Sequence, residues 1–135
     1  MIQRDYIRRL IAQLSEVLAA LMGYKSEGRA EEGRGRVEQA FKEMLDMDMG
    51  ELEKVSEHQI LSYLKDQKQW DEQQINATAE LLYCYAEMLH IEEEYPKSQA
   101  LYKKALPLYV YLQNQGKVFS LDRMNKIDKI QNLLA

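Results

Sequence analysis

Residues 70–112 read WDEQQINATAELLYCYAEMLHIEEEYPKSQALYKKALPLYVYL, and this stretch decides the fold. Asp71 followed by Gln74 has the spacing of a capping box, and Trp70 and Ile75 sit at the hydrophobic-staple positions around it. A helix is therefore expected to start here. Leu81, Leu82, Tyr85, Met88 and Leu89 recur at spacings of three and four, which carries it to about Glu93. Pro96 suits the first turn of a following helix, where its missing N–H is not needed. That second helix shows Ala100, Leu101, Ala105, Leu108 and Leu112 and is expected to close at Gly116. Pro107 lies inside it and predicts a bend or interruption.

The same periodicity extends in both directions. Tyr6, Ile7, Leu10, Ile11, Leu14, Val17, Leu18 and Leu21 mark a long amphipathic helix over residues 2–22. Residues 23–35 hold four of the six glycines and almost no aliphatic side chains, which reads as a flexible linker. A helical pattern resumes with Val37, Ala40, Phe41, Met44 and Leu45, with Gly50 the expected C-terminal cap. Ser56 and Gln59 repeat the capping-box spacing, with Val55 and Ile60 as staple, ahead of Leu61 and Leu64. Residues 65–69 read as a connection. Ser120 is a reasonable cap for a last helix with Met124, Ile127, Ile130, Leu133 and Leu134 on one face. No segment alternates in the manner of a strand. The expected class is all-α: an amphipathic helix (1–22), a linker (23–35) and a body of antiparallel helical hairpins (36–135).

Composition agrees. A chain of 135 residues with 46% apolar side chains fits one domain and should bury roughly two-thirds of its unfolded surface. One cysteine permits no intrachain disulfide, and few Gly and Pro disfavour a turn-rich sheet protein. The formal charge of -4 argues against general nucleic-acid binding. That total conceals strong segregation. Residues 1–36 carry net +2, residues 37–94 net -11 and residues 95–135 net +5. Acidic helices neighbouring basic ones in one fold would produce this pattern, as would an acidic surface that steers a basic partner. The first 22 residues lack the uninterrupted apolar run of a signal peptide or membrane span, and a cytoplasmic protein is expected. A peripheral membrane contact through Arg4, Arg8 and Arg9 is the minor alternative.

Residues 79–112 resemble a tetratricopeptide repeat. Leu82 takes the usual tryptophan position, Tyr85 the leucine, Ala86 the small residue and Leu89 the aromatic of the first helix. Tyr95 matches the aromatic in the turn, and Ser98, Tyr102 and Ala105 match the small, aromatic and small positions of the second. Small residues there let two antiparallel helices approach closely. The closing proline position holds Val110, and residues 36–64 show no convincing second register. The last helix would resemble the first helix of a next repeat, or a cap. A single repeat cannot bury both faces, so the remaining helices must cover it. The opening Asp5-Tyr6-Ile7-x-Arg9 also resembles a family of small bacterial helical proteins, a likeness that brings no functional expectation.

The repeat resemblance implies a protein- or peptide-binding face made by Glu80, Tyr83, Glu87 and His90, which share one side of the first helix. Two carboxylates beside an aromatic imply a basic or aromatic-containing ligand. The lysine–asparagine carboxylate clamp of some family members is missing. The competing expectation is that the N-terminal helices cover this face. Other chemistry finds little support. Glu87 and His90 form one Glu-x-x-His pair, but a di-iron bundle needs a second, and His58 has Val55 three positions earlier. Gly28-x-x-x-x-Gly33 is followed by Arg34 and Gly35, not by a phosphate-loop lysine. Cys84 reads as a structural thiol. No catalytic residues, metal or cofactor are expected. The leading expectation is a non-enzymatic interaction module. The alternative is a homodimer assembled through the N-terminal helix.

Overall fold

A computed structural model describes residues 2–115 and 120–135. Its elements are helices α1 (Ile2–Ser26), α2 (Ala30–Leu45), α3 (Met49–Glu53) and α4 (Ile60–Ser62), the last running on as a π-helical turn over Tyr63–Gln67. Helices α5 (Glu72–Ile91), α6 (Tyr95–Gln115) and α7 (Leu121–Leu134) follow. Among the described residues there is no strand, so the fold is all-α.

The α5 start forms as its sequence dictates. Asp71 Oδ1 accepts from the Gln74 N–H at 2.9 Å, while Gln74 Oε1 accepts from the Asp71 N–H at 3.0 Å. Two otherwise orphaned donors are satisfied reciprocally. Helix α5 is the centre of the molecule, with Leu81, Leu82, Ala86 and Met88 all buried. It packs most extensively on α6 and also against α2 and α1. The close α5–α6 approach rests on small residues: Ala86 and Ala105 are fully buried, and the buried Ser98 hydroxyl donates to the Ala86 carbonyl at 2.7 Å.

Side-chain pairs fix the direction of each helix. Gln74 donates to the Tyr6 hydroxyl near the start of α1 and α5, and Lys25 meets Glu87 near their ends, so these two helices run parallel. Helix α2 runs the other way, because Arg34 in its first half reaches Glu92 beyond the end of α5. Helix α7 again runs with α5, since Lys126 meets Glu80 and Lys129 meets Glu87. The chain thus folds as an alternating array in which α1, α5 and α7 share one direction and α2 and α6 the other.

Several expectations require correction. The expected flexible linker over residues 23–35 is mostly helical: α1 continues to Ser26, α2 begins at Ala30, and only Glu27, Gly28 and Arg29 lie between. Gly28 takes φ 71°, and the Arg29 N–H closes the turn on the Tyr24 carbonyl at 2.8 Å. Gly33 is there for proximity, since a Cβ would come 2.9 Å from Met88 Cε and 3.3 Å from Tyr24 Cβ. The N-terminal helix is therefore no detached arm; it packs on α2 and α5 through Leu10, Leu14, Val17 and Leu21. Gly50 is not a C-terminal cap. Helix α2 stops at Leu45 with Asp46 in the left-handed region at φ 49°, and Gly50 lies in the first turn of α3, its N–H bonded to Asp48 Oδ1.

The Ser56 capping box does not form. A backbone turn from the Gln59 N–H to the Ser56 carbonyl occupies that place, and helix begins only at Ile60. Pro107 does not interrupt α6, which runs continuously from Tyr95 to Gln115. Gly116 lies outside the described residues. Ser120 caps α7 as expected, its Oγ accepting from the Arg123 N–H at 3.2 Å.

Candidate functional site

The four residues singled out on α5 do lie along one side of that helix, but they meet different surroundings. Glu80 is 7% exposed and receives a hydrogen bond from Lys126 Nζ at 2.6 Å. Tyr83 is buried, edge-on to Tyr102 at 5.4 Å between centroids and to Tyr109 at 6.1 Å. Such edge-to-face pairs each contribute about 0.5–1.5 kcal/mol beyond their buried area. Glu87 Oε2 accepts from Lys25 Nζ at 2.7 Å and from Lys129 Nζ at 3.4 Å. His90 alone is exposed, with its ring edge-on to Tyr95 at 5.0 Å.

The cover over this face comes from tyrosines of α6 and lysines of α7, with Lys25 of α1 at Glu87, and not, as the competing expectation had it, from the N-terminal helices alone. Lys126 and Lys129 are three residues apart, hence on one side of α7. Their ammonium groups lie 5.4 and 5.6 Å from the Tyr83 ring centroid, within cation–π range. Asp122, one turn earlier, holds Lys126 from its other side at 3.1 Å. Burial works against the Lys126 charge, but Glu80 and Asp122 outweigh it and raise its pKa above the ordinary lysine value.

Beneath the lysines the interior is rich in protonated groups. Burial, reinforced by Glu87, pushes the Tyr83 hydroxyl up to about 12. Burial, then Glu87 and Glu80, pushes the Cys84 thiol up to about 12, which leaves it protonated at neutral pH and a poor nucleophile. Tyr109 is fully buried, and the Glu80 carboxylate is the acidic group within reach of its hydroxyl. Burial and then Glu80 raise its pKa well above that of an ordinary tyrosine.

What stays open is a cleft of about 200 Å³ near the C-terminal ends of α1, α5 and α7. Lys25, Glu87, His90 and Lys129 supply its polar lining, and Ile91, Tyr102 and Leu133 its apolar one. Glu87 and His90 thus share one opening, whereas Glu80 and Tyr83 lie closed beneath α7. A depression of about 520 Å³ runs between α4 and α6, where Leu61, Leu106, Pro107, Val110 and Tyr111 present an apolar surface. Among the described residues no three His, Cys, Asp or Glu side chains converge as a metal site, and no helix is long and apolar enough to cross a membrane.

No family model matches the sequence, and no curated protein and no solved structure matches it significantly.

Lys25, Lys126, Lys129 and Tyr109 were not legible as members of this site. Each was an ordinary basic or aromatic residue on its own helix. The segregation of charge carried the signal: acid concentrated in residues 37–94 meets base from both flanks, in pairs 62, 46 and 42 residues apart.

Proposed function

We propose that this chain is a non-enzymatic protein-interaction module, a tetratricopeptide-like helical scaffold. It would capture a protein or peptide bearing basic side chains at the cleft between the ends of α1, α5 and α7. The observation that carries this reading is the position of Glu87. Its carboxylate sits at the junction of three parallel helices, held by Lys25 and Lys129, beside an opening that also contains His90 and Ile91. The alternating array, with small residues at the α5–α6 contact, supports the repeat resemblance. A carboxylate already bridged by two lysines gives selectivity by exchange: an arriving cation must replace one of them, so the ligand must bring its own apolar contact. Ile91, 44% exposed, and Leu133 offer that contact. A cytoplasmic setting, with no nucleic-acid partner and no membrane span, fits a chain with one thiol and net negative charge.

A second reading has an observation of its own. Helix α1 buries one side on the body while Ile11 and Met22 remain 45% and 72% exposed on the other. A homodimer paired through that side would cover them.

A photoreactive phenylalanine analogue placed at Ile91 separates the two in cells. The module reading expects a defined adduct with a different protein, absent when the analogue replaces the exposed Lys42 on α2. Equal labelling from both positions would overturn it. An adduct that contains only this chain, joined in addition by a dimer in light scattering, would favour the second reading.

A further inference from the structure

Lys104 is a partly buried amine whose hydrogen bonds all go to uncharged groups. Among the described residues, Lys25, Lys68, Lys126 and Lys129 each meet a glutamate within 3.4 Å. Lys104, half-buried on α6, instead donates to two backbone carbonyls at the end of α3, Leu52 at 2.9 Å and Glu53 at 3.0 Å. Burial lowers its pKa, and Glu53 and Glu57 offset that only in part. The contacts also suit the neutral amine. An amine keeps two N–H donors, enough for both carbonyls, and its lone pair takes the direction they leave free.

Two clefts share this side chain. The first, of about 340 Å³, is lined by the cations Arg34 and Lys97, the carboxylate Glu53 and the apolar Leu89 and Leu101. Arg34 engages Glu92 through two nitrogens, and its Nη1 has only a 3.5 Å contact with the Tyr85 hydroxyl, which also donates to Glu38. Lys97 is exposed. The second cleft, of about 420 Å³, adds Glu57, His58 and Lys103. A desolvated lysine beside other cations is the arrangement that makes an amine nucleophilic near neutral pH.

We infer that Lys104 is a modification site: its amine takes the acyl group of a small acyl phosphate whose phosphate rests against Arg34 and Lys97. The ammonium first gives its third proton to water. The lone pair then attacks the acyl carbon, a C–N bond forms, and the C–O bond to phosphate breaks. Inorganic phosphate leaves with that electron pair and takes one amine proton. The amide keeps a single N–H and no charge, so one of the two α3 carbonyls loses its partner. Acylation thereby loosens α3 from α6.

Full-length chain treated with acetyl phosphate tests this, with acetylation rates read lysine by lysine from digests by mass spectrometry. Lys104 should react about threefold faster than the more exposed Lys97 and Lys103, with a rate that levels off at lower pH. With phenyl acetate, an uncharged donor, that preference should shrink, and Lys97→Gln should shrink it with acetyl phosphate. Deuterium exchange over residues 49–53 should quicken in the acetylated chain and in Lys104→Gln, but not in Lys104→Arg, which keeps the charge. Should Lys104→Gln fail to fold, the acetylated wild type gives the same reading. Rates that follow exposure, with Lys104 slowest, overturn the modification site. Equal preference with both donors overturns the phosphate seat at Arg34 and Lys97. Exchange unchanged by acetylation overturns the loosening of α3.

Discussion

Glycine shows how much of this chain is decided residue by residue. Four glycines in thirteen positions look like a tether, yet they sit in three different physical situations. Gly28 takes φ 71°, a left-handed conformation that costs an L-residue about 1–2 kcal/mol. Gly33 faces Met88 and Tyr24 at distances no Cβ tolerates without movement. Gly35 is helical and has nothing within 4 Å of the place a Cβ would take. Gly35→Ala should therefore stabilise by about 0.5–1 kcal/mol through helix propensity and lower unfolded-state entropy. Thermal melts should show a rise of roughly 2–5 °C. Gly28→Ala should lower the melting temperature, and equal responses from both would mean that backbone conformation in this turn is irrelevant. Sequence alone could not separate these cases, because φ and proximity belong to the fold and not to the residue type.

Among elements, the same four-residue signal succeeds once and fails once. Asp71–Gln74 and Ser56–Gln59 have identical spacing and flanking apolar residues, but only the first caps a helix. Helix α5 is twenty residues long and buried on most sides, so its start is fixed by many contacts that agree with the cap. The segment after Ser56 is short, and longer-range groups constrain it: Tyr63 donates to Glu51 at 2.6 Å, and Lys104 Nζ bonds the Leu52 and Glu53 carbonyls at 2.9 and 3.0 Å. Those bonds set the local backbone, and the helix slips to Ile60 and widens into a π-turn. Asp71→Ala should thus cost about 1 kcal/mol in urea unfolding, within the usual 0.5–2 kcal/mol for a lost cap. Ser56→Ala should leave the unfolding midpoint unchanged. A comparable loss at both positions would show that the Ser56 side chain caps after all. The class of the fold, the α5–α6 hairpin and the Ser120 cap were legible because each depends on near neighbours. The parallel run of α1, α5 and α7, and hence the closure of the Glu80 side, depends on pairs more than forty residues apart.

At the scale of the whole molecule, the central interior favours the protonated form of its titratable groups, and this makes stability depend on alkaline pH. The Cys84 thiol is pushed up to about 12 from an ordinary 9.0, and Tyr83 to about 12 from 10.0. Tyr102, Tyr109 and Lys126 are raised as well. A group with a raised native pKa keeps its proton in the folded chain after the unfolded chain has lost it. Its contribution is complete below the unfolded value and declines as pH climbs toward the native one. Lys104, lowered by burial, acts in the opposite sense. Stability should therefore begin to fall near pH 9, where the unfolded thiol ionises, and steepen above pH 10 as the tyrosines join. Each group adds a slope of at most about 1.4 kcal/mol per pH unit. Removing the thiol isolates the first step: Cys84→Ala should shift the onset of the decline from about pH 9 to about pH 10 and leave the steeper part in place. The measurement is the urea midpoint at half-unit pH intervals. Coincident profiles for variant and wild type would show that the Cys84 thiol ionises as freely in the folded chain as in the unfolded one.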